Sequence, residues 1–279
     1  MLKLIFITNN RNLAQCAELA GVNRIMIDLE TLGKKERQKG RNTLISEHSI
    51  EDIKSIRAVI NSSEIIVRIN PININSKSEI DDVIEAGADI IMLPMFRTKR
   101  EVEEFLDIVD GRTKSMLLFE HIEAVNNIDE ILNLSGIDEL HIGLNDLHIS
   151  MDKTFMFELF TDNTVQYIVE KAREKNIPVG IGGMSRMGTG DLPAELILTE
   201  HYRLNSSGVI LSRGFLDNIN IKDMNQMTIQ KTFCDNVASI REKEKILEKE
   251  SFEFFEQKHK QLIDCINNIV ERMRVLTNE

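Results

Sequence analysis

Ser115-Met-Leu-Leu-Phe-Glu120 and Glu139-Leu-His-Ile-Gly-Leu-Asn-Asp146 each close a short apolar run on a carboxylate, and Glu120 and Asp146 lie 26 positions apart with one helical stretch between them. That spacing is the length of one β/α unit. If the two runs are neighbouring strands of a parallel sheet, they lie about 4.8 Å apart. Carboxylates at their carboxyl ends can then grip one hard cation such as Mg²⁺.

Working outward from this unit, eight strand-like runs follow in order: Leu2–Thr8, Arg24–Glu30, Glu64–Asn70, Asp89–Met95, Ser115–Glu120, Asp138–Gly143, Ile177–Gly182 and Ser207–Arg213. Most are continuous in hydrophobicity, as in parallel strands buried on both faces. Helical periodicity fills the gaps, for example at Leu13–Ala20, Ile80–Ala86, Arg100–Val109, Ile128–Leu134 and Thr164–Lys175, and several units end on Gly21, Gly87, Gly136 or Asn176 as stops. Eight such alternations predict an α/β fold, a (β/α)₈ TIM barrel. A doubly wound open sheet is the alternative. Against it, Gly180-Ile-Gly182-Gly183-Met-Ser185 carries Ser where a dinucleotide fingerprint needs its third Gly. Neither a P-loop sequence nor a nucleophile elbow occurs.

Beyond Phe215 the pattern changes. Arg241 to Glu250 holds eight charged residues in ten, which predicts a solvated helix. Leu262, Ile263, Ile266, Ile269, Val270 and Met273 then fall on one helical face. The expected organisation is a barrel domain over 1–222 and a C-terminal helical extension over 223–279. The apolar stripe would pack on the barrel or a partner subunit, or close a neighbour's active site as a lid. Cutting at residue 222 is expected to reduce assembly and leave a cooperatively melting barrel.

The 279 residues are 42% hydrophobic and 28% charged, within the range of soluble globular proteins. A net charge of −11 argues against a nucleic-acid partner. No run approaches the ~18 apolar residues of a membrane span, and the apolar start is too short for a secretory signal. Cys16, Cys234 and Cys265 suggest neither a disulfide framework nor a zinc site, so a cytoplasmic location is expected.

Barrels place chemistry at the carboxyl ends of their strands. Here those ends carry Asp28 and Glu30, Arg68 and Asn70, Glu120, Asn145 and Asp146, Ser185 and Arg186, and Arg213. Arg68 stands in an apolar strand, where a charge needs a partner. It reads either as a barrel ion pair with Asp28 or Glu30, or as a bidentate clamp for a substrate carboxylate. Glu120 and Asp146 read either as a hydrogen-bonded polar rim or as ligands of Mg²⁺ or Mn²⁺ that leave positions for water and a chelating 2-oxo acid. Arg186 and Arg213 follow strands 7 and 8, where barrels often bind phosphate. The other reading is solvated arginines in a loop that Gly182, Gly183, Gly188 and Gly190 make permissive.

Ile27-Asp-Leu-Glu30, Val67-Arg-Ile-Asn-Pro71, Glu85-Ala-Gly-Ala-Asp89, Met92-Leu-Pro-Met95, Glu120 with Glu123-Ala-Val125, and Gly143-Leu-Asn-Asp-Leu147 together resemble the HpcH/HpaI aldolase and citrate lyase β-subunit family over residues 1 to about 215. The resemblance implies a metal-dependent carbon–carbon lyase on a (β/α)₈ barrel. By it, Glu120 and Asp146 match the metal ligands and Arg68 the substrate-carboxylate arginine, while backbone N–H groups near Asn145 and Asp146 bind the substrate carboxylate. Homo-oligomers are usual in the family. Thr31 departs from the citrate lyase branch, which usually has an acid there. Gly143-Leu144 replaces the usual Gly-Pro, and the polar segment Gly33–His48 is unlike a plain hydroxy-acid aldolase loop.

The expected reaction is retro-aldol cleavage or its reverse on a pyruvate- or oxaloacetate-like enolate stabilised by a divalent ion. A base must take the hydroxyl proton of the other fragment, with His48, Asp28 and Glu30 as candidates. The substrate is a small carboxylate, optionally phosphorylated or a coenzyme A thioester. The alternatives are an acyl-CoA lyase of the citrate lyase β-subunit type and a non-catalytic assembly barrel. His148 has the spacing of a residue supporting Asp146, and His141 reads as a satisfied core residue.

Overall fold

A computed structural model describes residues 1–33, 47–216 and 225–277. Eight parallel strands close on themselves in sequence order. They are β1 (Lys3–Ile7), β2 (Arg24–Asp28), β3 (Glu64–Arg68), β4 (Ile90–Leu93), β5 (Lys114–Phe119), β6 (Glu139–Ile142), β7 (Val179–Met184) and β8 (Gly208–Leu211). Helices α1 (Arg11–Leu19), α2 (Ile50–Arg57), α3 (Ser76–Glu85), α4 (Lys99–Val109), α5 (Ile122–Asn126), α6 (Ile128–Ile131), α7 (Leu144–Ser150), α8 (Thr164–Glu174) and α9 (Ala194–Arg203) lie between successive strands. Two longer helices follow, α10 (Gln226–Leu247) and α11 (Phe252–Thr277). The (β/α)₈ barrel with C-terminal helices is therefore the fold. No helix among the described residues is long and apolar enough to cross a membrane.

The helix stops act through backbone geometry. Gly21, Gly87 and Gly136 take φ of 93°, 101° and 93°, and Asn176 takes 58°. These are left-handed values that Gly adopts freely and Asn tolerates.

Alternation along the strands sorts side chains into barrel lumen and helix layer. The lumen is filled by an apolar cluster that includes Ile5, Met26, Ile66, Met92, Met116 and Leu118. Below it, at the amino ends of the strands, charge closes the barrel. Buried Arg24 donates to Glu139 at 2.7 and 2.6 Å and to Glu64 at 2.8 Å. Lys114 adds a 2.6 Å contact to Glu64. A buried guanidinium with two carboxylates on its donors avoids the cost of an unpaired charge. This end is a plug, and chemistry is left to the opposite face.

The tail helices are part of the same packing. α10 lies against α1, and α11 against α9. Phe233, Val237, Ile240, Leu262, Ile266, Ile269 and Val270 are buried in the cluster that also holds the apolar residues of the barrel helices. The stripe is thus covered within the chain. The expected boundary at residue 222 falls outside the described residues.

Arg241–Glu250 is not uniformly solvated. Glu244 is fully buried and accepts from the Leu2 amide at 2.7 Å and from Arg241 at 2.6 Å, while Arg241 also donates to the Leu2 carbonyl at 3.0 Å. Charge density along the chain gave no sign that one of these acids pins the first strand.

Candidate active site

Asp28 stands at the end of β2 with its neighbour in register, Arg68, at the end of β3. The pairing brings a planar fork to a carboxylate. Arg68 Nε donates to Asp28 Oδ1 at 2.9 Å, Nη2 donates to Oδ2 at 2.8 Å, and Glu30 Oε2 lies 3.4 Å from Nε. Burial works against the charge on the guanidinium, but Asp28 foremost, with Glu30 and Glu120, more than offsets it and holds Arg68 firmly in its charged form. Both readings of Arg68 meet here: it is the barrel ion pair, and among the described residues its Nη1 carries no hydrogen bond. One edge of the fork is therefore left for an anionic ligand.

Glu120 follows β5 and is 2% exposed. Its Oε1 accepts the Met95 amide at 3.0 Å. Met95 follows β4 with φ of 53°, a strained value for a residue with a long side chain, and it aims that N–H at the carboxylate. On the other side Gly143 leaves room, since a Cβ there would sit 2.8 Å from Glu120 Cβ and 3.0 Å from Oε2. Burial pushes the Glu120 carboxyl up to about 8. Arg68 opposes the rise, and Glu30 and Asp146 add to it. Three acids and the Asp28–Arg68 pair therefore share one site, with negative charge in excess.

Gly143 caps α7, whose first turn carries Asp146. An acid there is favoured by the exposed N–H groups of the helix start. Asn145 is half-buried on the same turn. His148 is buried, with Nδ1 3.1 Å from the Leu144 carbonyl.

His48 reaches the site through backbone. The Asp28 amide donates to His48 Nδ1 at 3.0 Å. A neutral imidazole spent this way keeps its proton on Nε2. Thr31 and Leu32 are held by Asn70, whose Oδ1 accepts from their amides at 2.9 and 3.0 Å and whose amide group rests on Glu79 at 2.9 Å. Residues 34–46, the polar segment between them, lie outside the described residues.

Arg186 is half-buried in the loop after β7. That loop turns on a Thr189 hydroxyl bonded to the Arg186 carbonyl at 2.6 Å and on the Gly188 amide bonded to Glu195 at 2.7 Å. Arg213 opens a single 3₁₀ turn after β8, and its side chain lies outside the described residues.

Three features of the site escaped the sequence: the Met95 amide, the clearance at Gly143 and the coupling of Glu30 to Glu120. Only Gly143 had a visible signal, a glycine just before a helix in an otherwise apolar strand end. His141 departs from expectation. It is buried as expected, but neither ring nitrogen has a hydrogen-bond partner.

Solved structures share this architecture. An HpcH/HpaI aldolase from Desulfitobacterium hafniense matches with a TM-score of 0.59 at 13% identity, over 86% of this chain and 93% of that one. The citrate synthase SbnG matches with a TM-score of 0.56 at 16% identity, over 87% and 94%. Macrophomate synthase matches with a TM-score of 0.56 at 14% identity, over 82% and 84%. At such identities the likeness shows the fold alone. No curated protein matches the chain. The family model for HpcH/HpaI aldolase/citrate lyase matches residues 3–180. That match spans β1 into β7 and every acid of the site, so the chain belongs to the HpcH/HpaI aldolase/citrate lyase family.

Proposed function

We propose that this protein is a divalent-metal-dependent carbon–carbon lyase acting on a 2-oxo acid of the pyruvate or oxaloacetate type. The supporting observation is the buried Glu120 carboxyl, raised to about 8 beside Glu30 and Asp146 at the carboxyl ends of the strands. Such an excess of negative charge favours a cation. Glu120 and Asp146 would hold Mg²⁺ or Mn²⁺. Among the described residues no group of three or more His, Cys, Asp or Glu is arranged to hold an ion. Water and the two oxygens of a 2-oxo acid would therefore supply the remaining positions, a mix that Mg²⁺ prefers. The ion would supply Lewis acidity to the 2-oxo group.

The chain's own residues do the rest. Arg68, fixed by Asp28, offers its Nη1 edge to the substrate carboxylate. Asn145 and the amides of the α7 start orient the same group. Asp28 has both oxygens on Arg68, and His48 has its Nδ1 on the Asp28 amide. The proton therefore falls to Glu30, with His48 positioning the Asp28 backbone. Arg186 and Arg213 would receive an anionic group on the second fragment. The protein acts as a homo-oligomer in the cytoplasm.

Exchange of the pyruvate methyl protons in D₂O, followed by NMR with and without Mn²⁺, tests this reading. Metal-dependent exchange that is lost in Glu120→Gln is the expected result. Exchange that is absent in the parent under every metal condition would remove the enolate chemistry.

A further inference from the structure

His141 lies on β6, two residues after Glu139, which bonds Arg24 inside the barrel. The same alternation turns His141 into the lumen. Its register partners are Leu118 on β5 and Gly180 on β7. Gly180 in turn pairs with Gly208 on β8. Two adjacent strands thus contribute no side chain at this level, and the imidazole lies against their backbone. A Cβ on Gly180 would collide with His141 Nδ1 and lie 3.2 Å from the Gly208 carbonyl oxygen. These two approaches put Nδ1 and the Gly208 carbonyl oxygen at most ~5.5 Å apart, a span that a single bridging water covers.

The imidazole is 1% exposed, and among the described residues neither nitrogen has a partner. A neutral ring has one donor and one acceptor. Leaving both unmet in an apolar interior is costly, and native interiors meet such groups with ordered water. A cation is disfavoured, since burial holds the ring neutral and Arg24, Arg68 and His201 reinforce this. We propose that His141 holds an internal water in the barrel lumen, bridging its imidazole to the Gly208 carbonyl. The site has no part in the lyase reading and stands or falls without it.

A high-resolution crystal structure of the full chain is the deciding measurement. The expected result is a solvent peak within hydrogen-bond distance of a His141 ring nitrogen that disappears in His141→Leu. A lumen with no peak beside the ring in the parent overturns the proposal. Urea unfolding gives a second readout. His141→Gln keeps a donor and an acceptor and should unfold much like the parent. His141→Leu should raise the unfolding constant on the order of tenfold. A dry, unsatisfied ring gives the opposite sign, because the apolar replacement would then stabilise the fold. Should His141→Leu not fold, the parent density and His141→Gln still decide the matter.

Discussion

Glu120 is a carboxyl group whose surroundings favour the proton over the charge. Its folded-state value of about 8 lies above the ordinary 4.5. A raised value stabilises the fold fully below 4.5, and that contribution is lost as pH climbs to about 8. Metal-free protein should accordingly lose thermal stability across that window, and Glu120→Gln should flatten the loss. A variant that keeps the parent's slope would assign it to another group. On the proposed function Mg²⁺ or Mn²⁺ would bind the ionised form, so calorimetry should show affinity falling at least tenfold in Glu120→Gln and Asp146→Asn, each of which would remove a charged oxygen ligand. Arg68→Lys keeps the charge and loses the fork. A drop of roughly tenfold to a hundredfold in kcat/KM with unchanged metal affinity is expected, on the scale of one charge-assisted hydrogen bond. Unfolding of that variant would make its bond to Asp28 the residue's main task.

Strand ends and helix starts decide where those side chains stand. Gly143 has to be a glycine because β6 passes close to Glu120 before α7 begins. Gly180 has to be one because the facing strand carries an imidazole. Gly180→Ala would force that ring or the strand to move, and overpacking of this kind costs ~1–3 kcal/mol, readable as a lower urea midpoint. At the opposite end, Arg24→Ala would strand Glu139, which is 6% exposed, without its main partner. A buried charge left alone costs ~3–5 kcal/mol. The loss should be largest at neutral pH, where Glu139 is held ionised by Arg24. Equal destabilisation at pH 4 and pH 7 would point to lost packing.

At the scale of the molecule, α10 and α11 close the helix layer. α10 covers α1, and Glu244 on α10 takes the amide of Leu2, so the last third of the chain fixes the first strand. α11 docks on α9 through Glu200, which accepts from Arg203 at 2.8 Å and lies 3.0 Å from His259. We infer one folding unit. Removing residues 223–279 would expose Ala17 and Cys16 on α1 and Leu198 on α9, all fully buried. The shortened chain should give no cooperative melt by calorimetry. A sharp transition near the parent's would show that the barrel is complete without its tail.

The sequence by itself determined the strand order and the acids at the strand ends. Both are local: a continuous apolar run ending in a carboxylate reads as a buried parallel strand wherever it occurs, and each run lies within two or three residues of an observed strand. The partners of the site were decided only by closure of the barrel. Arg68 is 40 positions from Asp28 and Glu120 is 25 from Met95. His141 faces glycines on two other strands, so its missing partners could not be read from β6. Burial, which raises the Glu120 carboxyl, is a property of the closed barrel and cannot be read from one strand.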